Sequence, residues 1–158
     1  MRICILRKND TRLRYIMTET MYWGFKLDPE STAKLLSHFP PLHPNVYAEH
    51  VTMAFRPSAS VEDGLKFMLG EHREIAVAGH AYDEYGQAVI VSGVPRFDPG
   101  KSHITISCAN GVGPVYSNTL LTKGFEPVPA LLLSGRIGRV DTRRVWSFDN
   151  DTVDKKPT

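Results

Sequence analysis

Two heptapeptides, Glu49-His-Val-Thr-Met-Ala-Phe55 and Ser102-His-Ile-Thr-Ile-Ser-Cys108, share one pattern: histidine, apolar, threonine, apolar. A β-strand's period of two puts His50 and Thr52 on one face and Val51, Met53 and Phe55 on the other. The second stretch sorts the same way, His103, Thr105 and Ser107 against Ile104, Ile106 and Cys108. Each strand must therefore bury one face and present an imidazole beside a hydroxyl on the other. With six histidines in the chain, composition alone predicts about half an occurrence of His-x-Thr. Two occurrences in the same phase of two apolar strands point to a chemical role.

The rest of the chain supplies a scaffold for two such strands. Its 158 residues and 42% hydrophobic content suffice for one domain with a packed core. Met21 to Leu27 alternates with Trp23, Phe25 and Leu27 on one face, a half-buried strand. Asp28-Pro29-Glu30 then signals a helix start, and a short helix through Ala33, Leu35 and Leu36 follows. Three prolines within Pro40 to Pro44 cannot extend it. A second helix is expected over Ser60 to Leu69 with Ser60 as its cap. Ile75 to Tyr82 and Ala88 to Val94 flank the turn Asp83 to Gly86 as a hairpin, and Ala130 to Arg143 reads as a closing strand or hairpin. Strands that outnumber short helices predict an α+β fold with antiparallel pairing. A single domain over residues 21–148 is expected, preceded by an extension or edge strand over 1–20 and followed by a solvated tail over 149–158.

Composition narrows the partners. Nineteen basic and 17 acidic residues leave a formal charge of +2, too small a field to hold long duplex DNA, so a small or short anionic ligand is expected. Cys4 and Cys108 stand far apart without a Cys-x-x-Cys, which makes neither a disulfide framework nor a zinc site. The N-terminal apolar run is cut by Arg7 and Lys8, unlike a signal peptide, and no stretch approaches the roughly 20 apolar residues of a membrane span. A cytoplasmic protein with no membrane contact is the expectation. His38, His43, His72 and His80 lack matched partners, and no metal-ligand set emerges from them.

Cleavage of a phosphodiester needs a base for the attacking oxygen, an acid for the leaving oxygen and donors for the non-bridging oxygens. Two histidines, which titrate near pH 6.5, can hold opposite protonation states, and two threonines can supply the donors. No metal or other cofactor is required by that set.

At this point the chain resembles the two-histidine phosphoesterase superfamily, whose signature is a pair of His-x-Thr/Ser motifs set in apolar strands. The resemblance implies two similar lobes of antiparallel sheet and short helices around a central cleft, with one motif from each lobe facing it. It implies that His50 and His103 are the acid and base pair, without saying which is the base, and that Thr52 and Thr105 bind the phosphate. The activity implied is metal-independent cleavage of a 2′,3′-cyclic phosphate, a 2′-5′ linkage or a small cyclic nucleotide, including the cyclic-nucleotide immune signals that some phage members degrade. A nucleotide or RNA end is the implied substrate. The alternatives are a binding module for nucleotides or RNA ends that lacks turnover, and a structural protein with coincidental motifs.

Several further residues have two readings each. Tyr116 either stacks on a nucleobase or closes the core as a loop aromatic. Asn118 bonds a base edge or caps a helical turn over Thr119 to Thr122. Tyr22 and Lys26 share the face opposite Trp23 and line the cleft if their strand neighbours the motif strands. Tyr47 flanks the ligand or stands exposed, and Ser107 extends the polar face of the second motif. Arg56 contacts the ligand or, the favoured reading, is solvated, and the basic run Arg136, Arg139, Arg143 and Arg144 approaches the phosphate or, again favoured, forms a solvated strand face.

Overall fold

The computed structural model describes residues 19–149, so Cys4 and the expected extension and tail lie largely outside the described residues. Eight strands, β1 (Thr20–Leu27), β2 (Asn45–Val46), β3 (His50–Phe55), β4 (His72–Tyr82), β5 (Gly86–Ser92), β6 (His103–Cys108), β7 (Glu126–Asp141) and β8 (Trp146–Ser147), alternate with three short helices. The helices are α1 (Pro29–His38), α2 (Ala59–Leu65) and α3 (Tyr116–Thr122), with a 3-10 turn Lys66–Met68 after α2. Every strand pairing is antiparallel. The protein is α+β.

The pairings run β1-β3-β6-β5-β4-β7, and β7 returns to β1, so the sheet closes on itself and leaves few open edges. Two places join its halves. One is β7, which bonds β4 through Arg136 and the residues before it, and β1 through Gly135 and those after it. Gly135 faces Arg73 on one side and Leu27 on the other, and a Cβ there would run into the Lys26 carbonyl. The other junction is the seam between β3 and β6, where the ladder pairs Val51 with Ile104. Just before that seam Ala48 takes φ 51°, and its N–H bonds the Thr105 carbonyl at 2.8 Å, displacing the chain from regular register.

One main core lies inside this circuit. Trp23, Phe25, Leu35, Val51, Met53, Leu65, Ile75, Ile104, Ile106 and Ile137 are among its fully buried members. The residues expected to alternate inward from β1, β3 and β6 are in the core, except Phe55 at the end of β3, which is 54% exposed while its neighbour Ala54 is buried, beside an irregularity in the β1–β3 register. A smaller cluster of Ala81, Ala88, Leu120 and Leu121 seats α3 on β4 and β5.

Local chemistry fixes the helices. α1 begins at Pro29, where the absent N–H is no loss, and Ser31 Oγ accepts the Ser134 N–H at 2.8 Å, tying the helix to β7. The cap of α2 is Ser58, whose Oγ accepts the Val61 N–H at 3.3 Å, not the expected Ser60. Both serines precede the apolar run, and the extended φ/ψ at Ser58 decides between them. α3 begins at Tyr116, which puts Asn118 inside the helix instead of at its cap. The closing strand is one long strand from Glu126, which takes in Pro127 and Pro129, and the hairpin it forms is with β8.

Candidate functional site

The seam between β3 and β6 organises the site. Val51 and Ile104 are both 0% exposed, which anchors the apolar face of each motif in the core. His50 and Thr52 flank Val51, and His103 and Thr105 flank Ile104, so all four turn to the opposite side. Antiparallel pairing has a local two-fold axis, and it relates one tripeptide to the other. It also makes the histidines diagonal neighbours, a geometry with Cα atoms roughly 7 to 8 Å apart. All four side chains line one cavity of about 620 Å³, a size suited to a small ligand.

The two halves are symmetric in position and different in bonding. His103 is 9% exposed, and its Nδ1 lies 2.8 Å from the Lys101 carbonyl. A carbonyl only accepts, so Nδ1 carries the proton in the neutral ring and Nε2 is left with a free lone pair. His50 Nε2 sits 3.2 Å from Thr52 Oγ1. Its ring stacks on Tyr22 at 5.2 Å and meets the edge of Trp146 at 5.9 Å. Burial is the main cause that pushes His50 down to about 4; Glu49 opposes this, while Lys26 and His103 reinforce it. His103 is also lowered, first by burial and then by Arg96, against the bond to Lys101. Both imidazoles are therefore neutral at neutral pH in the free protein.

Thr105 Oγ1 lies 2.7 Å from Ser117 Oγ at the start of α3 and 3.4 Å from the Pro114 carbonyl, which holds its side chain in place. Arg96 is held by several bonds at once. Its Nη1 donates to the Thr52 carbonyl at 3.3 Å, its Nε and Nη2 to the Pro99 carbonyl at 3.2 and 3.0 Å, and its Nη2 also to Asn118 Oδ1 at 3.2 Å. A fixed guanidinium thus bridges β3, the loop before β6 and α3 beside both motifs.

The structure sorts the remaining expectations. Tyr22 and Tyr47 line the cavity, and so does Asn118. Burial, with help from Glu49 and against Arg144, raises the Tyr22 phenol to about 12, which keeps it a hydrogen-bond donor at neutral pH. Lys26 does not line the cavity; it pairs with Glu49 at 3.7 Å and lies over Trp146 at 5.7 Å. Ser107 is buried away from it, with Oγ donating to Gln87 Oε1 at 2.6 Å and accepting from the His43 N–H at 3.2 Å. The ladder drifts from the seam toward β2 and β5 at that end of β6, and the polar face there meets Gln87 instead of the cavity.

Tyr116 is likewise turned away. Its hydroxyl donates to Asp83 Oδ2 at 2.5 Å, and its ring meets Tyr85 edge-on at 5.6 Å. Burial raises the Asp83 carboxyl, but bonds from Tyr116, Lys123 and the Tyr85 and Gly86 amides outweigh it and hold the group well below the usual range. This network closes the β4–β5 turn, so Tyr116 takes its loop-aromatic reading.

Three arginines line the cavity: Arg56 and Arg144, which take the less favoured of their two sequence readings, and Arg96, for which nothing was expected. Trp146 against His50 is a further surprise. The signals were faint: Arg56 directly follows a motif strand, and Arg96 lies in the proline-flanked loop that leads into the other. Arg144 and Trp146 reach the site only because β7 returns to β1. The other members of the basic run are occupied elsewhere, Arg143 by Asp141 at 2.8 Å, Arg136 by Phe148 and Arg139 by Trp23.

Among the described residues, no cluster of three or more His, Cys, Asp or Glu could hold a metal ion, and no helix is long and apolar enough to cross a membrane. Cys108 is a free, buried thiol.

No family model and no curated protein matches the sequence. Among solved structures, that of a fungal RNA kinase is similar in fold, with a TM-score of 0.50 and 16% identity over 75% of this chain. The chain covers 41% of that protein's length, so the likeness is to one part of a larger molecule and concerns the fold alone.

Proposed function

We propose that this protein is a two-histidine phosphoesterase that cleaves a 2′,3′-cyclic phosphate, a 2′-5′ linkage or a small cyclic nucleotide. One observation carries the reading: two His-x-Thr tripeptides related by the local two-fold at the β3–β6 seam, with all four side chains lining one cavity. A phosphate centred on that axis meets a hydroxyl and an imidazole from each side. The fold likeness to a fungal RNA kinase is in keeping with an RNA end among the substrates.

The bonding asymmetry supports a division of roles. His103 holds its proton on Nδ1 and offers Nε2 as the base. It takes a proton from water, whose oxygen attacks phosphorus. His50 gives its proton to the departing ester oxygen, and proton exchange with water restores both rings. Thr52 and Thr105 donate to the non-bridging oxygens. Arg96 adds positive charge beside them as negative charge builds in the transition state. His50 is neutral in the free protein, and the incoming phosphate anion is what favours its charged form.

The test is to incubate the EDTA-treated protein with 2′,3′-cyclic, 3′,5′-cyclic and 2′-5′-linked nucleotides and to resolve the products. Metal-free cleavage is expected, lowered by about 10²- to 10⁴-fold in His50→Ala and in His103→Ala, with the circular dichroism spectrum unchanged. Full activity in either variant sinks the assignment. Tight binding without products would make the chain a binding module instead.

A further inference from the structure

The cavity extends beyond the four motif residues to the start of β1, where Arg56 and Arg144 line it. The Arg56 N–H bonds the Met21 carbonyl at 2.8 Å on one side of β1. Arg144 follows β7, whose Val140 pairs with Tyr22 on the other side, and its charge acts on the Tyr22 phenol. The two arginines thus flank the same end of the site.

Both hold backbone conformations that suit glycine, φ 45° at Arg56 and 67° at Arg144. Ala48 is the one other non-glycine residue with positive φ among the described residues. Such strain persists where surrounding structure imposes it, and it clusters at ligand sites. The neighbouring Arg143 is already paired, with Asp141 at 2.8 Å. The two carboxylates that line the cavity are engaged by other groups: Glu49 by Lys26 at 3.7 Å, and Asp98 by the Phe55 N–H at 2.8 Å. Arg96 is bound to the Thr52 and Pro99 carbonyls, which keeps it at the motif end.

Arg56 stands four positions after Thr52, just past the end of β3, at most roughly 13 Å along the chain. That span is on the scale of one nucleoside with its phosphate. Phe55, 54% exposed, lines the cavity beneath the Arg56 guanidinium, 5.3 Å from its ring centroid. Its exposed surface is an apolar element of the cavity beside Arg56 that a sugar or base can pack on.

We infer that Arg56 and Arg144 form a second anion subsite, which takes a phosphate one nucleoside away from the phosphate at His50 and His103. The substrate is then a nucleotide bearing at least two phosphates, such as an oligonucleotide end or a cyclic oligonucleotide, in preference to a nucleoside cyclic monophosphate. The inference rests on the phosphoesterase reading for its first phosphate.

Calorimetric titration with adenosine 2′- and 3′-monophosphate, and with the matching 2′,5′- and 3′,5′-bisphosphates, tests it on the intact chain. In about 0.1 M salt, at least one bisphosphate should bind about tenfold or more tightly than its monophosphate. Arg56→Gln and Arg144→Gln should each erase most of that gain and leave monophosphate affinity within about twofold. Arg144→Gly relaxes the backbone, so it should erase the gain while Tm holds or rises. Equal binding of mono- and bisphosphates by the unaltered chain overturns the subsite alone. So does a bisphosphate gain that survives these substitutions, or one lost only in step with monophosphate binding. Binding of none of the four overturns the subsite together with the phosphate site beneath it.

Discussion

At the scale of single residues, the site consists of four side chains whose environments make two chemically equivalent imidazoles unequal. His103 is committed to one tautomer by the Lys101 carbonyl, whereas the His50 ring is packed against Tyr22 and Trp146 and hydrogen-bonds its own strand's Thr52. Burial lowers both, and this has a kinetic consequence. If His50 must be protonated and His103 neutral, kcat/KM should be bell-shaped, because it reports ionisations of the free protein. Both limbs should lie below pH 6.5, with the maximum between about 4 and 6.5, and the rate should fall about tenfold per pH unit on the alkaline side. A profile flat from pH 5 to 8 would remove the acid and base assignment even if cleavage occurs. The tetrad itself was legible in the sequence because strand phase is local: His50 and Thr52 share a face whatever surrounds them. The tautomer was not, since it depends on a loop carbonyl two residues before His103.

At the scale of elements, the site depends on how β7 crosses the molecule. A 16-residue strand pairs first with β4 and then with β1, and the crossing falls at Gly135 between Arg73 and Leu27. An added Cβ there meets the Lys26 carbonyl and the Phe25 ring, and backbone on one side cannot swing away as a side chain could. Gly135→Ala should therefore lower stability by about 1 to 3 kcal/mol, seen as a lower urea midpoint with unchanged m-value. Gly64→Ala is the contrast, because nothing lies within 4 Å of a Cβ at that helical position. It should be neutral or stabilising, by up to about 1 kcal/mol. The elements were largely legible from periodicity and from proline and serine signals. Ser58 against Ser60, and the reach of β7 back to Glu126, were not: two serines separated by one residue read alike as caps, and a strand containing two prolines reads as a loop.

At the scale of the whole molecule, the buried neutral histidines link folding to pH. Between the ordinary histidine value and about 4, the unfolded chain binds a proton at His50 that the folded chain does not. The unfolded state then carries more protons, so stability rises with pH through this window. Above about pH 6.5 the contribution is complete, and as pH falls toward 4 it is lost, on the order of 3 kcal/mol for His50. His103 adds a loss of the same sign. Thermal unfolding from pH 7.5 to 4.5 should show Tm falling with acidity, and His50→Gln should flatten part of that slope. An unchanged slope in the variant would mean that His50 is not desolvated. Activity and stability would then oppose each other on the acid side, because the proton that His50 needs as an acid is the one its burial resists.

The sequence by itself determined the α+β class, the inward faces of β1, β3 and β6 apart from Phe55, and the four residues at the seam. Each follows from the period of a strand and from turn chemistry, which act over a few residues. Only the tertiary structure decided that Arg56, Arg96, Arg144 and Trp146 join those four, and that Tyr116, Ser107 and Lys26 do not line the cavity. Those placements come from the pairing of strands more than 100 residues apart, as when Arg139 meets Trp23, and from the drift of register along β6. A local pattern says which face a side chain takes; what that face meets is set by closure of the sheet.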